Sequence, residues 1–299
     1  MIKIAYSPIY CHHLPPGHRF PMLKYELIPE QLLYEGTIGQ DNLFVPQKSA
    51  EVDILRTHQK EYFDKLIHQQ LSPSEQRKIG FPQSPELIER ELVITQGTID
   101  CALWALDNGC ALNIAGGTHH AFAERGEGFC LLNDIAVASD YLLHHKKAHK
   151  ILVVDLDVHQ GNGTAKLMEQ EDRVFTFSMH GKNNYPFHKE TSDLDIPLPD
   201  GISGKEYLHI LDQTLVPLLD TVQPDFIFYL SGVDILSTDK FGKFKVSIEE
   251  CKKRDELVFK AAYDNNIPIA VSMGGGYSPD INDILQAHCN TFRAAAHLF

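Results

Sequence analysis

No two of the six cysteines stand in a C-x-x-C pair; they are scattered as Cys11, Cys101, Cys110, Cys130, Cys251 and Cys289. In a chain of 299 residues, such scatter argues against a disulfide framework and suits reduced thiols. No apolar run approaches the roughly 18 residues that a membrane-spanning helix needs. The opening MIKIAYSPIY lacks the long apolar stretch of a signal peptide and reads as a first strand. The expectation is a cytoplasmic protein with no membrane partner. Cations are scarce, 27 Lys and Arg against 40 Asp and Glu, for a net charge of −13. No Lys/Arg run is long enough for a duplex-binding patch, so nucleic acid is not an expected direct partner. An acidic balance of this kind suits a cationic partner or substrate. Linkers rich in Pro, Gly or Ser are missing, as are internal repeats, so residues 1–299 are expected to form one domain.

What is present is alternation. Short apolar, β-branched runs recur at IKIAY (2–6), CALNIA (110–115), ILVVDLD (151–157), VFTFSM (174–179), DFIFYLSG (225–232) and IPIAVSMGGG (267–276). Segments with helical spacing lie between most of them, at about 86–108, 130–147, 204–222, 247–265 and 280–298. Continuous apolar strands alternating with amphipathic helices predict an α/β domain of three layers, with a central, mostly parallel sheet covered on both faces. Residues 7–50 read as long surface loops with one helix. The polar clusters then fall at strand ends: AGGTHH, DLDVH, SMHG, SGVD and SMGGGY. Any one could be an ordinary polar loop. Five together predict one cleft, because ligands of open α/β sheets bind beyond the carboxyl ends of the strands.

Within DLDVHQGNG (155–163), a period of two sends Asp155, Asp157 and His159 to one side of the chain. Crowded carboxylates cannot all stay ionised without a compensating cation or donors. Imidazole and carboxylate oxygen suit zinc, or iron(II). The alternative is a salt-bridged loop with a helix cap at Asn162. Asp234 in LSGVD offers a third ligand, and three ligands leave positions open for water and substrate. His119 and His120 are adjacent on an irregular loop, where they are either a catalytic pair or an incidental one. The three glycines of MGGGY let the backbone approach something closely, and Tyr277 projects a phenol beside them. Trp104 fits a core position on a helix, Cys130 a packed thiol, and His12, His13, His18 and Arg19 a rim loop or exit path.

The motifs GGTHHAF, GEGFCLLND, VVDLDVHQGNGT, LSGVD and SMGGGY, in this order over residues 3–298, closely resemble the histone deacetylase superfamily. Gln160 and Asn162 in DLDVHQGNG make the likeness strongest to its class IV branch and neighbouring bacterial amidohydrolases. The resemblance implies zinc ligands at Asp157, His159 and Asp234, a catalytic histidine pair at His119 and His120, and a carbonyl-polarising tyrosine at Tyr277. Asp155 is implied as partner of His119. Asn162 stands beside His120, where many relatives carry a second aspartate. Gly128, Phe129, Tyr185 and Gly275 are implied to line the substrate tunnel. A structural potassium ion is implied at Asp155, Asp157, His159, Ser178 and Met179.

The expected activity is zinc-dependent removal of an acetyl or other acyl group from N-ε-acyl-lysine, in a protein or peptide. Water attacks the amide, and zinc and Tyr277 stabilise the charge that grows on its oxygen. An acetylated polyamine or another small amide is the competing substrate. Arginase-type binuclear hydrolysis would need further bridging carboxylates, and a non-enzymatic metal-bound module would have little use for Tyr277.

Overall fold

Runs such as ILVV and FIFYL are stable as strands only where both sheet faces are covered. The computed structural model describes residues 1–299 and places these runs at its centre. Eight strands make one sheet: β1 (Lys3–Ala5), β2 (Leu43–Phe44), β3 (Cys110–Asn113), β4 (Ile151–Asp155), β5 (Val174–Gly181), β6 (Leu194–Leu198), β7 (Phe226–Ser231) and β8 (Ile269–Met273). Their order is β2-β1-β3-β8-β7-β4-β5-β6, and every pairing is parallel. Ten helices accompany them: α1 (Lys24–Tyr34), α2 (Glu51–Ile54), α3 (Lys60–Ile67), α4 (Pro73–Ile79), α5 (Pro85–Asn108), α6 (Asp134–His144), α7 (Asn162–Met168), α8 (Gly204–Val222), α9 (Ile248–Asp264) and α10 (Ile281–Leu298).

Helix α5 lies against β1, β3 and β8 and carries α6 beside it, with α7 beyond; α1, α10, α9 and α8 pack in sequence as the other helical layer. Local chemistry sets where the long helices begin. Ser203 with Glu206 and Ser247 with Glu250 form capping boxes at α8 and α9, each satisfying two orphan N–H groups. Helix α5 starts on Ser84 and Pro85 and ends at Gly109, whose φ of +90° closes the turn.

The register aligns one row across the whole sheet: Phe44, Ala5, Asn113, Ser272, Leu230, Asp155, Ser178 and Asp195. Just past this row the loops begin, so AGGTHH, DLDVH, SGVD and SMGGGY leave the sheet side by side. The edge strands β2 and β6 are absent from the sequence expectation. The first has only two residues, and the second contains Pro197, which an edge tolerates. Helices α2, α3, α4 and α7 span four to eight residues, too few turns for a periodic signal. Trp104 is only half-buried, with the Lys3 ammonium 5.4 Å from its ring centre, and is not a core residue.

A buried ion pair fastens the site loops to α9. Arg254, with no exposed surface, meets Asp255 at 2.8 Å and donates to the carbonyls of Leu156 (3.3 Å) and Gly232. Asp255 in turn accepts the hydroxyls of Tyr229 (2.5 Å) and Thr291 (2.8 Å). Leu156 and Gly232 precede the DVH and VD segments, so this one guanidinium ties both to the same helix. Replacing Asp255 by alanine strands the buried cation and is expected to cost about 3–5 kcal/mol. Urea unfolding of the purified variant measures it, and a loss under about 1 kcal/mol would contradict this role.

Candidate active site

Strand β4 stops at Asp155, and residues 156–159 form a turn. The period-two expectation therefore fails. Asp155 faces His119, whereas Asp157 and His159 face Asp234. The reason is local: Asp155 Oδ1 accepts the Asp157 N–H (3.1 Å), and Asp157 Oδ1 accepts the His159 N–H (2.9 Å). Each carboxylate bonds the amide two residues on, which bends the chain in successive Asx turns.

The turn brings His159 Nδ1 to 2.9 Å from Asp157 Oδ1 and 3.1 Å from Asp234 Oδ2. Backbone donors fix both carboxylates: Val158 N–H on Asp234 Oδ1 (2.9 Å) and Gly275 N–H on Asp157 Oδ2 (2.7 Å). Gly275 has to be glycine, since a Cβ there would lie 2.0 Å from Asp234 Oδ2. All three side chains are buried. Burial, then the charge of Asp157, pushes the Asp234 carboxyl up to about 7. Burial works against a charged His159, but its hydrogen bonds to Asp157 and Asp234 prevail and raise it to about 10. The cluster thus demands a cation, and a proton on Nδ1 is what a divalent ion would displace. Donor separations of 2.9 and 3.1 Å approach the roughly 3.3 Å edge of a tetrahedron with bonds of about 2.0–2.1 Å. The residues fit a hard or borderline divalent metal.

His119 and His120 lie above this cluster, ring centres 4.1 Å apart. Their loop is anchored by Asp134, whose Oδ1 accepts the N–H (2.9 Å) and hydroxyl (2.7 Å) of Thr118. Its Oδ2 accepts the hydroxyls of Thr98 (2.7 Å) and Ser272 (2.8 Å). His119 Nδ1 meets Asp155 Oδ2 at 2.7 Å, and His120 Nδ1 meets Asn162 Oδ1 at 2.6 Å. Both partners accept, so both histidines carry the proton on Nδ1 and direct Nε2 into the site. Asn162 opens α7, but its side chain goes to His120 and not to a cap.

The two rings then diverge. Burial opposes a charge on His119, yet Asp155 outweighs it and raises the pKa. Burial, together with the charges of His119 and His159, drives His120 well below the usual range. Neighbouring groups with pKa values pushed apart are the signature of an acid and base pair.

Tyr277 sits with its ring 4.9 Å from Phe241 and 6.0 Å from Phe129. Burial and the nearby Asp234 and Asp157 push its phenol well above 10, so it is a hydroxyl donor. Its N–H is held by Asp239 Oδ2 (2.6 Å), while Asp239 Oδ1 accepts from Phe241 (2.7 Å) and Gly242 (2.8 Å). The sequence reading missed Asp239, though an Asp opening DKFG is a turn signal. It also missed Lys24, whose buried ammonium donates to the Gly274 carbonyl (3.1 Å). Nothing in the helical spacing around Lys24 marks it.

At the mouth, Phe129 has φ +70°, following Gly128 at +53°. A left-handed phenylalanine costs about 1–2 kcal/mol; N–H bonds from Phe129 to Ile79 O (2.6 Å) and from Gly128 to Lys78 O (3.0 Å) hold it there. Tyr185 stands opposite, 5.0 Å from the His120 ring centre, its hydroxyl on Glu127 (2.9 Å). Cys130 is a buried thiol, as expected. Of the N-terminal rim loop, Arg19 reaches the mouth and His18 packs behind it on Gly80 O (2.8 Å); His12 and His13 line neither cavity. Asp155 and Ser178 are register neighbours, and Met179 is buried next along β5.

The model of the histone deacetylase domain matches residues 18–292. The chain belongs to the histone deacetylase family. Its sequence is 40% identical over 296 residues to an uncharacterized protein of Picosynechococcus sp., covering 99% of both chains. It is 30% identical to histone deacetylase 2 of Arabidopsis thaliana over 271 residues, covering 87% of this chain and 70% of that one. The fold matches an HDAC homologue from Aquifex aeolicus with a TM-score of 0.83 at 24% identity, over 98% of this chain and 83% of that one. This deacetylase is a hydrolase of the family's type, and its Asp157, His159 and Asp234 are the one group of three or more His, Cys, Asp or Glu placed to hold a metal. A second such group, which a binuclear centre would require, is not present.

Asparagine gives His120 a neutral hydrogen-bond partner in place of an anion. In Asn162→Asp, a carboxylate raises the His120 pKa, so the acid limb of the kcat/KM–pH profile is expected to move to higher pH by about one unit or more. An unmoved limb would show that His120 is not the group titrating there.

Proposed function

We propose that this deacetylase removes short acyl groups, acetyl foremost, from N-ε-acyl-lysine, with zinc held by Asp157, His159 and Asp234. The observation that carries the reading is the convergence of a free-base histidine, a protonated phenol and a three-ligand cluster at the foot of one aromatic mouth. A zinc ion held there, or iron(II) in the same donor set, would supply Lewis-acid chemistry to the amide carbonyl and to water. His120 Nε2 accepts the proton of the attacking water. The Tyr277 hydroxyl donates to the carbonyl oxygen as negative charge grows on it. His119, kept protonated beside Asp155, supplies positive charge and the proton for the departing lysine amine. Phe129 and Tyr185 flank the alkyl chain of the lysine and exclude water from it.

The size of the foot supports a short acyl group. The cavity lined by Phe129, Tyr277, His120, Asp157, Tyr25 and Arg90 amounts to about 40 Å³. One water needs about 10–15 Å³ on this measure, so the space suits an acetyl group and not a long alkyl chain. A structural potassium ion beside Asp155 and Ser178, with Met179 and the carbonyls of Asp157 and His159, completes the proposal. Such a cation would offset the buried negative charge. An acetylated polyamine is the second substrate class, and no feature of the mouth favours it.

Zinc-reconstituted enzyme is expected to turn over acetyl-lysine peptides and to lose activity steeply from acetyl to decanoyl. Tyr277→Phe is expected to lower kcat by about a hundredfold to a thousandfold with bound metal unchanged by elemental analysis. Turnover confined to N-acetylputrescine would transfer the function to small amines. A decanoyl preference would overturn the acyl-length assignment.

A further inference from the structure

Charge at the mouth opposes that of the chain. Overall the protein carries 40 Asp and Glu against 27 Lys and Arg, yet the outer cavity is walled by Arg19, Lys78, Lys240 and Lys243 and by no carboxylate. All four are exposed. Lys243 faces Asp200 at 3.5 Å, while the other three make no ion pair. The expectation that acidic balance suits a cationic substrate therefore fails at the place where substrate enters.

The cations are arranged on two sides. Lys78, whose carbonyl takes the Gly128 N–H, stands on the Phe129 side. Lys243 donates to Asn183 O at 3.0 Å, and with Lys240 it stands on the side of Tyr185 and Phe241. Arg19 lies between, its guanidinium 5.1 Å from the Phe129 ring and 5.4 Å from the Phe241 ring. An extended peptide, advancing about 3.3 Å per residue, can place carboxylates against both sides while its acyl-lysine points down the middle. Beside it, Phe187, 85% exposed and 6.4 Å from Tyr185, offers an apolar contact.

We propose that the mouth selects acyl-lysines set in acidic segments, with Asp or Glu on both sides of the modified lysine, and rejects acylated polyamines. This rests on the acyl-lysine reading and narrows its substrate. Complementary surface charge raises association and discriminates against like-charged partners, and a free ammonium on a polyamine would enter the repelling field. The same field favours departure of the product once the lysine has become a cation.

The test is fluorescence anisotropy with the full-length protein and labelled acetyl-lysine peptides that differ only in flanking residues: acidic, neutral or basic. Several screened surface pairs together amount to about tenfold, so the acidic peptide is expected to bind about tenfold tighter than the basic one. The gap should close between about 50 and 500 mM salt and disappear in Lys78→Glu/Lys240→Glu. Equal binding, the reverse order, or a gap that survives both salt and substitution overturns the proposal. So does an oligonucleotide that displaces the acidic peptide more readily than unlabelled acidic peptide does, or failure of every peptide to bind. Binding in the expected order without hydrolysis would sink the acyl-lysine reaction while leaving the charge preference established.

Discussion

Two carboxylates and an imidazole, all but removed from water, share one point at the carboxyl edge of the sheet. Burying a second carboxylate beside the first is unfavourable unless a cation joins them, and the surrounding structure is organised around that need. Backbone N–H groups hold both oxygens of Asp157 and one of Asp234, and Asp157 Oδ1 and Asp234 Oδ2 are directed at His159 Nδ1. Arg254 lies one layer below, bonded to the carbonyls that lead into both acidic segments. Gly275 approaches because it has no side chain to keep it away. Each carboxylate is thus oriented by hydrogen bonds from the chain itself.

Around this foot, the protein uses pairs of similar groups for different ends. His119 and His120 are sequence neighbours with ring centres 4.1 Å apart, and one partner atom separates them: a carboxylate behind the first, an amide behind the second. Burial acts on both, and only the first has a hydrogen-bonded anion that outweighs it. The mouth repeats the lesson at longer range. Negative charge is concentrated at the foot and positive charge at the rim, inside a chain whose net charge is −13.

Much of this was legible in the residues. The strands from IKIAY to IPIAV and the helices at 204–222 and 247–265 begin and end within three residues or fewer of their expected places, because apolar runs and Ser-x-x-Glu caps are local signals. Asp157, His159, Asp234, His119, His120 and Tyr277 were found together because each polar motif ends a strand. The edge strands β2 and β6 and the short helices before α5 were not legible, since two to eight residues hold too little periodicity.

By itself, the sequence determined the parallel α/β architecture, the cleft at the strand ends and the identity of the groups in it. Those follow from side-chain period, turn chemistry and the cost of burying charge, which are properties of neighbours along the chain. The tertiary structure alone decided that Arg254 ties both acidic segments to one helix, that Asp239 holds Tyr277, and that four cations from three distant segments ring the mouth. Each of those depends on which segments meet in space. Net charge and composition average over the whole surface, whereas a substrate meets only the field of the few side chains that folding brings to one opening.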